Sequence, residues 1–262
     1  MRALAIAATG MSAQQLNVEV IANNVANINT TSFKRARAEF VDLLYQVERQ
    51  SGSPAAVGGE VVPEGARLGL GVRATAIRNL HLQGALAQTG NPLDLALTGK
   101  GFFRLAAADG ETLYTRAAAF NKNASGQIVS PDGLVIQPAI TVPPEVVTLS
   151  VNETGQVFGT VQGEAQPRLL GQFSVATFVN EVGLEPLGNN LYRETAASGA
   201  ATVGLAGDAG IGTVKQGFLE SSNVDPVKEI TELISAQRAY EMNSKIIQAS
   251  DEMLGTISKG VR

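Results

Sequence analysis

The stretch ALAIAATGMSAQQLNVEVIANNVANI, residues 3–28, sets Leu4, Met11, Val18 and Val25 seven residues apart, with Ala7, Gln14, Ile21 and Ile28 as a companion row. Steps of three and four residues line one face of a helix and ask for a helical partner. The far end offers one. Leu233, Tyr240, Ile247 and Leu254 form another seven-residue row, and Ile246, Ala249, Met253 and Ile257 lie beside it. One partner helix covers one row, so two rows imply more than one neighbour. The first helix is expected over about residues 3–26 and is weak by itself, because Gly10 in its interior costs about 1 kcal/mol against Ala. Asn23, Asn24, Asn27 and Asn29, then Thr30, Thr31 and Ser32, compete for its backbone hydrogen bonds and stop it. The last helix starts where Asp225 can cap free N–H groups and Pro226 takes the first helical position, and it runs to about Ser258.

Between the helices the pattern changes to short β-runs. Expected strands are Leu93–Leu97, Phe102–Leu105, Leu113–Arg116, Gln127–Val129, Leu134–Gln137, Val146–Val151, Val157–Val161, Leu169–Phe178 and Asn190–Glu194. Turn signals separate them at Gly99-Lys100-Gly101, Asp109-Gly110, Ser125-Gly126, Pro131-Asp132-Gly133 and Thr154-Gly155. The fold class expected is α+β. An antiparallel coiled-coil stem joins the N- and C-terminal helices, and a central all-β domain, barrel- or sandwich-like, hangs from it. The division expected is a discontinuous stem of residues 1–30 and 220–262, an extended linker over 31–80, a β domain over 81–205 and a glycine-rich connector over 206–219. Within the linker, residues 49–67 are rich in Gly, Pro and small side chains, and the conformation of 46–66 stays open.

Composition narrows the function. The 262 residues carry 20 basic and 24 acidic side chains with no basic cluster, which argues against nucleic acid as a partner. There is no Cys, so thiolate chemistry and Cys-ligated metal are out. No apolar run reaches the roughly 18–20 residues that span a bilayer. The start reads as mature helix rather than a cleaved signal, since the heptad runs straight through the would-be cleavage zone. His81 is the only histidine, so no catalytic triad or His-based metal site can be assembled around it. Asp109 and Asp132 precede Gly in tight turns, their usual role. Neither G69-L-G71 nor G207-D-A-G210-I-G212 has the strand-then-helix context of a nucleotide loop. No catalytic, cofactor-binding or metal-binding residue is assigned, and no cofactor is expected.

Two long segments resemble a known family. ANNVANINTTSFKR at 22–35, followed by RAEFVDLLY, is similar to the amino-terminal signature of bacterial flagellar axial proteins, the rod and hook subunits. ESSNVDPVKEITELISAQRAYEMNSKIIQASDEML at 220–254 is similar to that family's carboxy-terminal signature. GLGVR at 69–73, GKGFFRL at 99–105, YTRAAAF at 114–120 and QPAITVP at 137–143 extend the likeness over nearly the whole chain. It is greatest to distal-rod subunits, with proximal rod and the usually longer hook as alternatives within the family. The motif residues carried over are Asn23, Asn24, Asn27, Phe33, Lys34, Asn223, Asp225, Gln237, Arg238 and Tyr240. Val25 stands where Leu is usual, Ser32 where Gly is usual, and Ala117–Ala119 alter the turn pattern.

The resemblance implies a non-enzymatic subunit that polymerises into a helical tube, a torque-transmitting drive shaft and export-channel wall. Its implied partners are copies of itself, proximal rod and hook proteins, the ring proteins that act as a bushing, and the flagellar export apparatus. Its implied place is the basal body, spanning the periplasm towards the outer membrane, reached without a cleaved signal peptide. An inter-subunit hydrogen-bonding role is expected for the Asn cluster. The seam is expected at Leu4, Met11, Val18, Ile21, Val25, Ile28, Leu233, Tyr240, Ile247 and Leu254. A different class of function, a secreted β-rich enzyme or ligand-binding domain with oligomerising ends, would need convergent polar residues in a pocket. A membrane-surface module would need basic polar faces, and the first helix has only Arg2. Ile247→Asp is expected to leave the β region folded and to abolish assembly, as read by sedimentation; normal polymerisation would move the seam elsewhere.

Overall fold

The computed structural model describes residues 2–50, 64–107, 109–163 and 166–260. The chain packs as two compact units, one of Met1–Ala26, Ala36–Asn79 and Asp225–Arg262, the other of Asn27–Arg35 and Leu80–Val224. The first is the helical unit and the second the β unit.

The helical unit contains α1 (Arg2–Ala26), α2 (Pro226–Gly260) and four strands: β1 (Ala36–Asp42), β2 (Tyr45–Arg49), β3 (Ala66–Gly69) and β4 (Val72–Asn79). Asp225 caps α2 as expected, its Oδ1 accepting from the amides of Val227 at 3.0 Å and Lys228 at 3.3 Å. The helices lie side by side and antiparallel. Asn24 Nδ2 donates to Glu229 Oε2 at 3.0 Å near one end. Further along, a Cβ on Gly10 would come within 3.0 Å of the Asn243 side chain. Ala7, Ala13, Val20, Ile21 and Asn24 are the buried residues of α1, and Glu229, Ala236 and Ser250 are buried on α2.

The region expected as a linker forms paired strands. β1 pairs with β4 from Ala36↔Asn79 to Asp42↔Val72, and β2 with β3 from Tyr45↔Gly69 to Arg49↔Ala66. Leu43 N donates to Gly71 O and Leu70 N to Leu44 O, so the two pairs run on as one antiparallel ribbon. Backbone pairing, rather than burial, organises this stretch. Most of its side chains are exposed. Residues 51–63, at the heart of the segment whose conformation was left open, lie outside the described residues.

The β unit begins with β5 (Leu86–Gln88), β6 (Asp94–Thr98), β7 (Phe102–Ala106), β8 (Thr112–Thr115), β9 (Ala118–Ala119) and β10 (Asn121–Lys122). It continues with β11 (Ile128–Val129), β12 (Val135–Ile136), β13 (Val146–Val151), β14 (Gln156–Val161), β15 (Arg168–Gln172) and β16 (Ser174–Thr177). β17 (Glu185–Gly188), β18 (Leu191–Arg193), β19 (Thr202–Leu205), β20 (Thr213–Gln216) and β21 (Phe218–Glu220) complete it. Each strand expected from the pattern forms, with Leu169–Phe178 split into β15 and β16. The stretch expected as a glycine-rich connector carries β20, which pairs with β6, and β21, which pairs with β5.

The expectation of a barrel needs correction. The largest sheet is an open path β10-β11-β12-β7-β8-β18-β17, with β16 and β19 attached through β7, and none of the sheets among the described residues closes. β7 pairs with β8, and with β12 and β16 at its two ends, so the strand is enclosed by neighbours. Its two faces serve two cores. Phe103 and Leu105 point into a large cluster with Leu95, Leu97, Phe120, Ile128, Ile136, Val157, Phe173 and Val175. Phe102 joins Tyr114, Ala176, Phe178, Leu184 and Tyr192 on the other face. A strand buried on both faces reads as a near-continuous apolar run, which Phe102, Phe103 and Leu105 supply around the half-buried Arg104.

Gly84 shows how tightly the ends of the β unit are fitted. Its amide donates to Glu220 Oε1 at 2.8 Å, and an added Cβ would lie 2.0 Å from the Ser221 carbonyl oxygen. Since backbone must then move, Gly84→Ala is expected to destabilise the β unit by roughly 2–3 kcal/mol in urea denaturation; an unchanged midpoint would show that the chain here yields easily.

Candidate assembly site and its buried ion cluster

Two arrangements could serve function: the surfaces of the helix pair and a buried charge cluster in the β unit. On the helix pair the close face is made of small and polar residues. Gly10, Asn17 and Asn24 on α1, and Glu229, Ala236, Asn243 and Ser250 on α2, each advance by seven residues. Helices meeting through Gly, Ala and Asn can approach closely while burying little apolar area.

The apolar rows flank this face. Leu4, Met11 and Val18 are half-buried and Val25 is 37% exposed, whereas Ile21 is buried. On α2, Leu233 and Ile247 are half-buried, while Tyr240 and Leu254 are exposed at 42% and 38%. Val18 and Tyr240 come together. With Gln15, Glu19, Gln237 and Glu241 they line an open groove of about 330 Å³. Arg238 is exposed, and Ile28 lies half-buried beyond the end of α1.

The Asn residues divide by environment. Asn24 is fully buried, and its amide is used within the chain. Nδ2 donates to Ala36 O at 2.8 Å and to Glu229, and Oδ1 accepts from Ala36 N at 2.8 Å. For this residue the expected inter-subunit role is replaced by an internal one: it ties the end of α1 to the start of β1 and to α2. Asn27 Oδ1 accepts from Thr30 Oγ1 at 3.0 Å, and Asn23 is exposed.

In the β unit three charges are buried together. Lys34 Nζ donates to Glu220 Oε1 at 2.6 Å, with both side chains 1% exposed. Arg116 Nε donates to Glu220 Oε2 at 2.7 Å, and Arg116 is 5% exposed. Neutral acceptors take the remaining donors. Lys34 Nζ also reaches Leu82 O at 2.8 Å, and Arg116 reaches the carbonyls of Gly101 at 3.0 Å and Gly99 at 2.8 Å. The second motif residue of this end, Asn223, accepts from Arg35 N at 2.7 Å and donates to Leu80 O and Leu82 O at 2.8 and 3.0 Å. Phe33 is half-buried, and its carbonyl accepts from the Asn223 amide.

Ser32, standing where Gly is usual in the resembling family, adopts φ 57°. That left-handed backbone is costly for a residue with a Cβ. Hydrogen bonds hold it there: its amide donates to Glu220 O at 2.7 Å and its hydroxyl to Arg116 O at 3.0 Å. Of this cluster, the family resemblance singled out Lys34 and Asn223 as motif residues and Ser32 as a departure, but not Arg116 or Glu220. The available signal was three charges lying inside three separate motifs.

The cluster reshapes the ionisation of its members. Burial opposes charge on Glu220, yet Arg116 and Lys34 together outweigh it and hold the carboxyl below its usual range. Lys34 is lowered, first by burial and then by Arg116. His81 sits edge-on to Phe102 and Tyr192, with ring centroids 5.7 and 5.5 Å away, and its buried Nδ1 has no hydrogen-bond partner. Burial, then Lys34 and Arg116, push its pKa down to about 4. Its surroundings are those of a neutral packing residue.

Among the described residues no group of three or more His, Asp or Glu is placed to hold a metal ion. No helix among them is long and apolar enough to cross a membrane.

Comparison with known proteins follows the same segments. A model for flagella basal body rod proteins matches residues 4–34, one for the flagellar hook protein FlgE/F/G D1 domain matches 96–159, and one for the flagellar basal body rod FlgEFG protein C-terminal region matches 215–259. The flagellar basal-body rod protein FlgG of Agrobacterium fabrum is 57% identical over 262 residues, covering 100% of both chains. The FlgG of Caulobacter vibrioides is 51% identical over 259 residues, 99% of each chain. The flagellar basal-body rod protein FlgF of the same organism is 32% identical over 240 residues, 90% of this chain and 88% of its own.

Acid stability tests the ion cluster. His81 binds its proton more weakly folded than unfolded, so stability is lost as pH falls from about 6.5 to about 4. Glu220, with its depressed folded pKa, adds stability above the unfolded carboxylate pKa that is lost as pH falls through the folded one. His81→Phe is expected to flatten the upper limb, worth on the order of 2 kcal/mol after solvent screening, and to keep the lower one. A wild-type profile flat between pH 7 and 4 would contradict this.

Proposed function

The chain belongs to the FlgG family of flagellar basal-body rod proteins, and on that premise we propose that it is a structural subunit of the distal rod of the bacterial flagellar basal body. It is a structural protein and not an enzyme. The whole-length likeness to FlgG, against 32% identity to FlgF, favours the distal over the proximal rod.

The observation that carries self-assembly is the apolar surface of α2. Val227, Ile230, Ile234, Met242, Ile246 and Met253 are exposed at 45–73% in the single chain. Such a surface is expected to be covered in the working state. On this reading α1 and α2 form a coiled-coil stem, and of the expected seam residues all but the buried Ile21, namely Leu4, Met11, Val18, Val25, Ile28, Leu233, Tyr240, Ile247 and Leu254, face neighbouring copies. Copies join through unlike surfaces, which builds an open helical polymer when the rotation does not close. Proximal rod, hook and ring proteins are its neighbours, with the export apparatus as its route to the periplasm.

Hydrogen exchange by mass spectrometry on dilute monomer and on polymer tests the reading. The amides of α1 and α2 are expected to gain protection on polymerisation while those of β6–β8 stay as they were. Helices equally protected in both states would remove them from the assembly contact.

A further inference from the structure

The ion cluster joins residues far apart in the chain. Lys34 and Glu220 are separated by 186 positions, and Arg116 and Glu220 by 104. Among the described residues the ion pairs of both cations go to this one carboxylate. During synthesis Lys34 and Arg116 appear early and Glu220 late. Until Glu220 arrives, closing the β unit means burying two positive charges against carbonyl oxygens alone. An ion pair stripped of one partner leaves a buried charge that the interior cannot solvate.

The same late segment supplies other acceptors. Glu220 O takes the Ser32 amide, Glu220 Oε1 takes the Gly84 amide, and Asn223 Oδ1 takes the Arg35 amide. Most of the large core, by contrast, is complete earlier. Leu95 to Val175 supply the bulk of it, and Ala206 and Val214 are its last buried members. Apolar collapse could therefore run ahead of chain completion, and the charges are what oppose it.

We propose that the Lys34–Arg116–Glu220 cluster is a completion latch, making stable folding of the β unit conditional on arrival of the chain end that carries Glu220. The latch is electrostatic. Two early cations hold the nascent β unit open, and one late anion closes it. A subunit built this way stays unfolded while its C-terminal segment is still being delivered. The inference concerns single chains, so its failure leaves the assembly reading untouched.

Two measurements test it. In the full-length chain Glu220→Gln retains every strand and removes the anion; protection of the β6–β8 amides is expected to fall at least tenfold, and unchanged protection overturns the proposal. Ribosome-stalled chains, with either Gln216 or Glu229 as the last residue outside the exit, are then probed by limited proteolysis. The wild-type β unit is expected to become resistant only at the longer length. The triple variant Lys34→Met, Arg116→Met, Glu220→Leu, without charges to neutralise, is expected to resist at the shorter one. Wild-type resistance at the shorter length overturns the latch. So does a folded triple variant with the wild-type onset, which would assign the timing to strand pairing. Should the triple variant not fold at full length, Glu220→Gln and the wild-type onset still decide.

Discussion

One carboxylate, shared by two cations, governs the β unit. Glu220 is the last residue of β21, and backbone carbonyls take only the donors of Lys34 and Arg116 that it leaves over. The turn between β6 and β7 is bent for this purpose. Gly99 and Gly101 have φ of 106° and 136°, and their carbonyls both accept from the Arg116 guanidinium. At Gly101 a side chain is excluded twice, by the backbone angle and by Val175, whose Cγ1 would lie 2.3 Å from a Cβ. The GKG motif is thus a backbone cradle for an arginine.

The two units use different physics. The β unit relies on area and shape: Phe103, Phe120 and Phe173 meet at centroid distances of 5.5–6.1 Å, and Phe102, Tyr114, Phe178 and Tyr192 form a second aromatic group. The helical unit relies on close approach. Its antiparallel helices approach closely where Gly10 faces Asn243 and Asn24 bonds Glu229, and much of the large apolar surface of α2 stays outside. The first arrangement suits a self-sufficient fold. The second suits an element whose stability comes from outside the single chain.

What the sequence discloses follows from what pattern can encode. Both helices and the central strands were legible, because apolar repeats and Gly-punctuated β-runs report them directly. The ribbon of β1 to β4 was not, since ARAEFVD buries only Ala38 and VRATAIRN leaves most of its side chains exposed, which gives little periodicity to read. The close face of the helices was hidden for a related reason. Gly10, Asn17 and Asn243 carry no hydrophobic signal, so the periodicity pointed to the flanking rows instead. The ion cluster was invisible as a cluster because its members lie in three motifs that only the topology brings together. The open sheet, where a barrel- or sandwich-like domain was expected, reflects the same limit: the longer apolar runs can be read locally, but closure depends on edges that local pattern does not describe.

Asn223 has a mechanical meaning beyond its hydrogen bonds. The chain crosses between its two units four times, after residues 26, 35, 79 and 224. Three of those crossings begin or end within a few residues of this one amide, which joins Arg35, Leu80 and Leu82, while Leu80 N donates to Arg35 O. Within the β unit these bonds hold Arg35, Leu80, Leu82 and Asn223 as one knot of backbone. One side chain, with the Leu80–Arg35 backbone bond beside it, thus ties together segments of the β unit that the sequence sets far apart.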